Sequence, residues 1–117
     1  MENRENGVST VPQTMLIVDD DFINRSILEN IFSSYYRIEE AEDGEEGLDK
    51  ILRNPERLCA VLLDVVMPRM NGIEVLRQLQ EKGLTEKIPV FLITAEASDS
   101  VMKEGYQLGV MDVIGKP

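Results

Sequence analysis

Short apolar runs alternate with segments of helical periodicity along most of the chain, and this alternation limits the folds that it can adopt. Five runs of apolar and β-branched residues predict strands: Thr14–Val18, Tyr36–Ala41, Leu58–Leu63, Val90–Ile93 and Gly109–Gly115. Apolar residues at helical spacing predict helices between them: Phe22–Tyr35, Gly44–Arg53, Ile73–Lys82 and Ser98–Leu108. Strand-helix-strand connections place successive strands in parallel. The sequence therefore predicts a three-layer α/β fold with a five-stranded parallel sheet.

Composition excludes several other classes of protein. Residues 1–13 show no periodicity and predict a flexible arm before a single domain, residues 14–117. A net charge of -10 repels nucleic acid, and no apolar run approaches the roughly 20 residues of a membrane span. The chain has one cysteine, Cys59, and no histidine, so it lacks a zinc ligand set. We expect Cys59 to be a small core residue in a reducing, cytoplasmic compartment.

Ionisable and hydroxyl side chains follow the predicted strands at one edge of the sheet. Asp19 and Asp20 follow the first strand, Asp64 the third, Thr94 the fourth and Lys116 the fifth. Ligands of open parallel sheets bind at this edge. Each residue alone has an ordinary structural explanation, such as a helix cap or a solvated charge. Three acids and one cation at the same edge instead indicate a functional site.

The chemistry of this predicted site follows from its oxygen donors. Two carboxylates about 5 Å apart repel by about 3 kcal/mol at a dielectric of about 20, so a cation must offset the charge. With only oxygen donors, Mg²⁺ is the favoured ion. Asp64 stands alone after a central strand and is the best nucleophile toward phosphorus, with Lys116 and Thr94 neutralising phosphoryl oxygens. Pro68 and Gly72 predict a tight loop that leaves Asp64 accessible.

Four motifs, LIVDDD, LLDVVMPRMNG, FLITA and VIGKP, occur in this order between Met15 and Pro117. In sequence and spacing they resemble the receiver domain of two-component response regulators. The resemblance implies a flavodoxin-like strand order 2-1-3-4-5 and Asp64 as the phosphoacceptor. It also implies a phosphohistidine donor on a sensor histidine kinase or phosphotransfer protein, and an output domain or effector beyond Pro117.

The same resemblance assigns roles to the other site residues. Asp20 and Asp64 are expected to bind Mg²⁺ directly, Asp19 through water, and the backbone carbonyl of Val66 completes the shell. Thr94 and Lys116 are expected to bind phosphoryl oxygens, and the Lys116–Pro117 peptide is expected to be cis.

Two features depart from the family pattern. Val113 occupies the position of the usual aromatic switch residue, so we expect signalling to run through Thr94 and the loop from Ala95 to Asp99. Receivers also continue into a fifth helix, and we expect this chain to be a piece of a longer regulator, truncated before that helix. About 400 Å² of bare apolar sheet would cost about 10 kcal/mol. We therefore expect a continuation of the chain, or a second copy forming a homodimer, to cover that face.

Three other functions remain to be weighed against a phosphorylated switch. A pseudo-receiver, acting as an unphosphorylated interaction module, is the main alternative. A haloacid-dehalogenase-type phosphatase needs an acid where this chain has Val66, and a flavin carrier would have its phosphate repelled by Asp19, Asp20 and Asp21. We expect no enzyme activity beyond the chain's own phosphorylation and dephosphorylation. Val66 and Glu96 flank the expected route of attacking water and should tune the phosphate's lifetime, in a direction that the sequence leaves open.

Overall fold

The computed structural model describes residues 13–95 and 97–116. Its five strands form one parallel sheet in the order β2-β1-β3-β4-β5, which confirms the predicted architecture and strand order. The strands are β1 (Thr14–Val18), β2 (Arg37–Ala41), β3 (Leu58–Asp64), β4 (Val90–Thr94) and β5 (Asp112–Gly115). The most polar strand, β2, lies at an edge, and the apolar β3 lies at the centre. Of the predicted arm, all but residue 13 falls outside the described residues.

Four α-helices connect the strands. They are α1 (Phe22–Phe32), α2 (Gly44–Arg53), α3 (Gly72–Glu81) and α4 (Asp99–Gln107), with short 3-10 turns at Pro55–Arg57 and Leu84–Glu86. Each α-helix begins after a residue whose side chain accepts backbone N–H groups of the first turn: Asp21, Asp43, Asn71 and Ser98. Within the described ranges, no helix is both long enough and apolar enough to cross a membrane.

The helices cover the two faces of the sheet unequally. In β1, Leu16 and Val18 point into the larger core, which α2, α3 and α4 cover. Met15 and Ile17 point to the other face, where they pack with Leu28 of α1 and other residues. That face retains an apolar groove of about 430 Å³. Its lining includes Met15, Phe32, Cys59, Leu62, Phe91 and Ile114.

Cys59 is only half-buried and lines this groove, so its prediction as a core residue holds in part. Partial burial raises the pKa of the Cys59 thiol.

Element ends differ from the sequence predictions by a few residues. Helix α1 ends at Phe32, not Tyr35, because Ser33 caps it and the chain then turns into β2. The last strand begins at Asp112, not Gly109. Gly109 adopts a left-handed conformation, with φ of 101°, that ends α4 and redirects the chain before the strand starts.

The helical spacing of the apolar residues in α1 suggested one buried face, but the structure does not show one. Ile23, Ile27 and Ile31 are 66%, 51% and 54% exposed, while Leu28 faces the sheet. Arg25 on the same helix is buried. Helical spacing identified the helix correctly, but it did not identify which of its sides meets the core.

Candidate functional site

The end of β1 supplies two acids and a helix cap. Asp19 is buried, with 2% of its surface exposed, and Asp20 is exposed. The backbone N–H of Asp21 donates to Oδ1 of Asp19 at 2.9 Å, and the carboxylate of Asp21 caps α1. These contacts separate the three successive aspartates by role, because Asp21 serves the helix while Asp19 and Asp20 remain at the edge of the sheet.

The end of β3 brings Asp64 to the same place. Asp64 is 4% exposed, and one carboxylate oxygen from each of Asp19, Asp20 and Asp64 lies within 4.8 Å of the others. Residues separated by more than forty positions in the sequence thus form one acidic cluster, as the sequence predicted.

Lys116 reaches this cluster from the end of β5. Its Nζ atom lies 2.8 Å from Oδ2 of Asp19 and 3.2 Å from Oδ2 of Asp64. Its backbone N–H donates to the carbonyl of Thr94 at 2.8 Å, which fixes the lysine beside β4. Thr94 is fully buried and ends the strand next to β3, one position after the residue that pairs with Asp64. The five residues that the sequence predicted to gather after the strands, Asp19, Asp20, Asp64, Thr94 and Lys116, therefore lie at the same edge of the sheet.

Burial and charge alter the ionisation of the cluster. Desolvation and the charge of Asp19 raise the pKa of Asp64 to about 6, against the opposing effect of Lys116. Burial lowers the pKa of Lys116, but the hydrogen bond to Asp19 and the charge of Asp64 outweigh it and leave that pKa raised. Three carboxylates and one ammonium give the ionised cluster an excess of two negative charges.

The cluster fits a hard divalent cation. Within the described residues its ligand group consists of three carboxylates and includes no cysteine, the chain has no histidine, and the spacing of the carboxylate oxygens allows them to share one ion. An ion with two positive charges would balance the excess negative charge and relieve the repulsion that raises the pKa of Asp64. The donor set therefore agrees with the predicted Mg²⁺.

A cleft of about 570 Å³ opens above the cluster. Its lining residues are Asp20, Asp21, Asn24, Asp64, Val66, Ala95 and Lys116. Val66, two positions after Asp64, is 62% exposed. Glu96 and the Lys116–Pro117 peptide, for which the sequence also made predictions, lie outside the described residues. The cleft gives a small group access to the carboxylate of Asp64.

The loop after β3 is held in place by close backbone contact. A Cβ atom on Gly72 would overlap the carbonyl oxygen of Asp64, and the N–H of Gly72 donates to the carbonyl of Val65 at 2.9 Å. Glycine is therefore required for α3 to begin so near the acid. The predicted tight loop is confirmed, and the carboxylate of Asp64 still lines the cleft.

A second restraint on this loop was not found from sequence. Arg69 has a φ of 68°, which is uncommon for a residue with a side chain, and its guanidinium lies 2.6 Å from the carboxylate of Asp43. Asp43 is buried at the start of α2. The charges alone gave no signal, because twenty-six positions separate the two residues.

Sequence reasoning also missed Asn24 and Arg25. Asn24 lies on the first turn of α1 and lines the cleft, and Arg25 contacts the backbone of Asp19. Their proximity in sequence to Asp20 was the available signal, since a helix that starts beside a site points its first turn toward it.

Comparisons with known proteins agree with this arrangement. The family model of the response regulator receiver domain matches residues 15–117, and the chain belongs to this family. It is 40% identical to the response regulator MprA of Mycobacterium sp. strain KMS over 108 residues, covering 92% of this chain and 45% of that protein. It is 38% identical to a protein of Vibrio cholerae named "Probable cyclic di-GMP phosphodiesterase", covering 89% of this chain and 23% of that protein. The chain thus spans less than half the length of these curated relatives.

Solved structures show the same fold. The CheX–CheY–BeF3–Mg²⁺ complex of Borrelia burgdorferi contains a chain with a TM-score of 0.84 and 32% identity, covering 92% of this chain and 80% of that one. Receiver domains are signalling switches that bind Mg²⁺ at an acidic cluster, and the cluster of Asp19, Asp20 and Asp64 matches this property.

Proposed function

We propose that this chain is a phosphorylation-dependent switch that accepts a phosphoryl group on Asp64 in a Mg²⁺-dependent reaction. The observation that carries the proposal is the contact of Lys116 with both Asp19 and Asp64, beside a third carboxylate and an open cleft. A purely structural acid at the end of a strand needs neither the cleft nor the excess negative charge.

In the proposed reaction, a carboxylate oxygen of Asp64 attacks the phosphorus of a phosphohistidine on a sensor histidine kinase or phosphotransfer protein. The new phosphorus–oxygen bond forms as the phosphorus–nitrogen bond breaks, and the leaving imidazole keeps the bonding electron pair. The ammonium of Lys116 and the hydroxyl of Thr94 bind the oxygens of the transferred group. The product is an acyl phosphate on Asp64.

Asp20, Asp64 and the backbone carbonyl of Val66 would hold Mg²⁺ directly, with Asp19 acting through water. The bound ion would supply positive charge against the phosphoryl oxygens. Asp19 also holds the Lys116 ammonium at 2.8 Å, so it orients the residue that must reach the phosphoryl group. The similar chain of Borrelia burgdorferi CheY belongs to a complex that contains both Mg²⁺ and BeF3, which supports a Mg²⁺ site in a chain of this fold.

Val66 and Glu96 are proposed to tune the lifetime of the acyl phosphate. Val66 is exposed and lines the cleft through which water reaches Asp64. A branched apolar side chain at that position restricts the access of water to Asp64 and offers the water no hydrogen bond. The variants Val66→Glu and Glu96→Val test this role. The rate at which the acyl phosphate hydrolyses is measured in each, and a rate unchanged from the native chain in both variants would reject the role.

The phosphoryl group is proposed to act through an output domain or partner protein beyond this segment. The curated relatives extend well past the matched region, which supports a longer regulator. We also propose that a further helix of that regulator, or a second copy of the chain, covers the groove beside α1. The half-buried thiol of Cys59 suits a reducing compartment, and we place the protein in the cytoplasm on that ground.

Intact mass measurement tests the central proposal. The chain is incubated with acetyl phosphate, with and without Mg²⁺, alongside the Asp64→Asn variant. We expect the mass of one phosphoryl group on the native chain with Mg²⁺, and none on the variant. A native chain that stays unmodified under these conditions would be the pseudo-receiver, an interaction module without phosphorylation.

A further inference from the structure

Arg25 carries a charge that is buried against the body of the domain. Its side chain is 9% exposed, and it is the only basic residue among the buried polar and charged residues within the described ranges. Burying a guanidinium is costly unless hydrogen bonds and an opposite charge offset the lost hydration. A position on α1 that retains such a group calls for an explanation in terms of its contacts.

Those contacts join three elements. Nη1 of Arg25 donates to the backbone carbonyl of Asp19 at 2.7 Å, and Nε donates to Oε1 of Glu40 on β2 at 3.0 Å. The guanidinium also lies 5.8 Å from the centre of the Phe22 ring. The side chain therefore ties the edge strand β2 and helix α1 to the end of β1.

We propose that Arg25 is a positioning residue for the acidic cluster, and that Glu40 holds it in place. The carbonyl that Arg25 binds belongs to the peptide between Asp19 and Asp20. Any rotation of that peptide moves the carboxylate of Asp20 relative to that of Asp64. Because Asp20 is exposed, packing of its own side chain does not fix it, and its position depends on the backbone.

The backbone around Asp19 is held on several sides. Its N–H donates to the carbonyl of Ala41 at 3.1 Å, and its Oδ1 atom accepts from the N–H of Asp21 at 2.9 Å. Arg25 supplies the bond to the carbonyl. Glu40 neutralises the guanidinium, so the expected effect of Arg25 on the cluster is mainly geometric. Partners of this kind, which orient the groups around a metal, commonly change its affinity by about tenfold or more when lost.

The chain contains a matched control. Glu39, the neighbour of Glu40 on β2, makes a bidentate pair with Arg57, with distances of 3.0 and 2.6 Å. The two glutamates have similar exposure, 33% for Glu39 and 34% for Glu40. Arg57 precedes β3, at the opposite end of that strand from Asp64. Removing the Arg57 pair therefore removes a comparable interaction that does not reach the cluster.

The test is a Mg²⁺ titration in which ¹H–¹⁵N chemical shifts report binding. It compares the native chain with five variants: Arg25→Gln, Arg25→Lys, Glu40→Gln, Arg57→Gln and Glu39→Gln. We expect Arg25→Gln to weaken Mg²⁺ affinity about tenfold and to shift the amide of Asp20 before Mg²⁺ is added. Glu40→Gln should also weaken the Mg²⁺ affinity. Arg25→Lys should rescue part of the loss, because an ammonium can still donate to the carbonyl of Asp19.

Arg57→Gln and Glu39→Gln should stay within about twofold of the native affinity, whatever their effect on unfolding. The proposal would be overturned if Arg25→Gln and Glu40→Gln bound Mg²⁺ as tightly as the native chain does. It would also be overturned if all four glutamine variants lost the same affinity. Should Arg25→Gln fail to fold, Glu40→Gln and Arg25→Lys decide it. The inference rests on the proposed Mg²⁺ site. If the native chain binds no Mg²⁺, both the proposed site and the role of Arg25 are rejected. If the native chain binds Mg²⁺ and Arg25→Gln binds it equally well, only the role of Arg25 is rejected.

Discussion

The Nζ atom of Lys116 lies 3.2 Å from Oδ2 of Asp64, yet the pKa of Asp64 remains raised, to about 6. One ammonium is therefore not enough to offset burial and the neighbouring acids. The site retains charge repulsion when no cation is bound, and this repulsion has consequences for stability that can be measured.

The first prediction concerns the pH dependence of this repulsion. A raised pKa means that the folded chain binds the proton of Asp64 more tightly than the unfolded chain, so ionisation of Asp64 destabilises the fold as pH rises from 3.8 to about 6. A shift of this size corresponds to at most about 3 kcal/mol. Asp64→Asn, which has no proton to lose, should be more stable than the native chain at neutral pH and show little advantage below pH 3.8.

Urea denaturation of both chains across this range measures the difference. Saturating Mg²⁺ at neutral pH should shrink it, because the ion stabilises the native cluster more than the variant. A difference that does not change with pH contradicts the assignment of the raised pKa to Asp64.

The second prediction concerns the contact between Asp43 and Arg69. The backbone N–H of Glu46 and the guanidinium of Arg69 hold the pKa of Asp43 below its ordinary value. Asp43 therefore stabilises the fold above pH 3.8, and this stabilisation is lost as pH falls through the lowered pKa. Asp43→Ala should reduce the free energy of unfolding by about 1–2 kcal/mol at neutral pH, because α2 loses its cap and the loop after β3 loses its anchor.

Asp49→Ala is the control for that measurement. Asp49 pairs with Arg53 on the exposed side of the same helix, with both side chains more than 60% exposed. Exposed pairs contribute little, so we expect a change within about 0.5 kcal/mol. Equal losses in the two variants would show that the buried contact has no special role.

The third prediction concerns the close approach of α3 to Asp64. Gly72→Ala forces a methyl group into the carbonyl of Asp64, and this contact is with backbone, which cannot move aside cheaply. We expect a loss of about 2–4 kcal/mol in unfolding free energy and slower phosphorylation by acetyl phosphate. Gly115→Ala, where an added Cβ would meet nothing within 4 Å, should cost much less. A loss of unfolding free energy in Gly72→Ala no larger than that in Gly115→Ala would mean that the loop after β3 relaxes around the added methyl group.

The sequence was sufficient for the architecture because each strand and helix has its own periodic signal. It also located the acidic cluster, since Asp19 and Asp20 follow one strand, Asp64 ends another, and parallel strands end at the same edge of the sheet. It was not sufficient for contacts between distant loops, such as that of Arg69 with Asp43, which depend on how two helix ends pack.

Gly105 shows a similar limit. In sequence it reads as a residue that weakens α4, whereas in the structure an added Cβ would lie 2.8 Å from the buried Leu92. The glycine allows the helix to approach the sheet, and no local pattern reports that distance.

The last prediction concerns how the switch operates with Val113 in place of an aromatic residue. Val113 is partly buried and packs against the core beneath α4, 3.5 Å from where a Cβ of Gly105 would lie, so it offers no ring to move. Thr94 is linked to β5 through its carbonyl, which accepts from the N–H of Lys116. In the proposed reaction the phosphoryl group would bind Thr94 and Lys116 together, and we expect the response to pass into residues 95–99.

Hydrogen exchange with and without beryllofluoride, a mimic of the phosphoryl group, measures this response. We expect changed exchange in peptides that cover residues 95–99 and unchanged exchange in β2, which lies at the far edge of the sheet. Thr94→Ala removes the hydroxyl proposed to bind the phosphoryl group and should abolish the change, while Thr85→Ala, outside the site, should preserve it. Equal exchange of residues 95–99 in both states of the native chain would show that the signal leaves the site by another route.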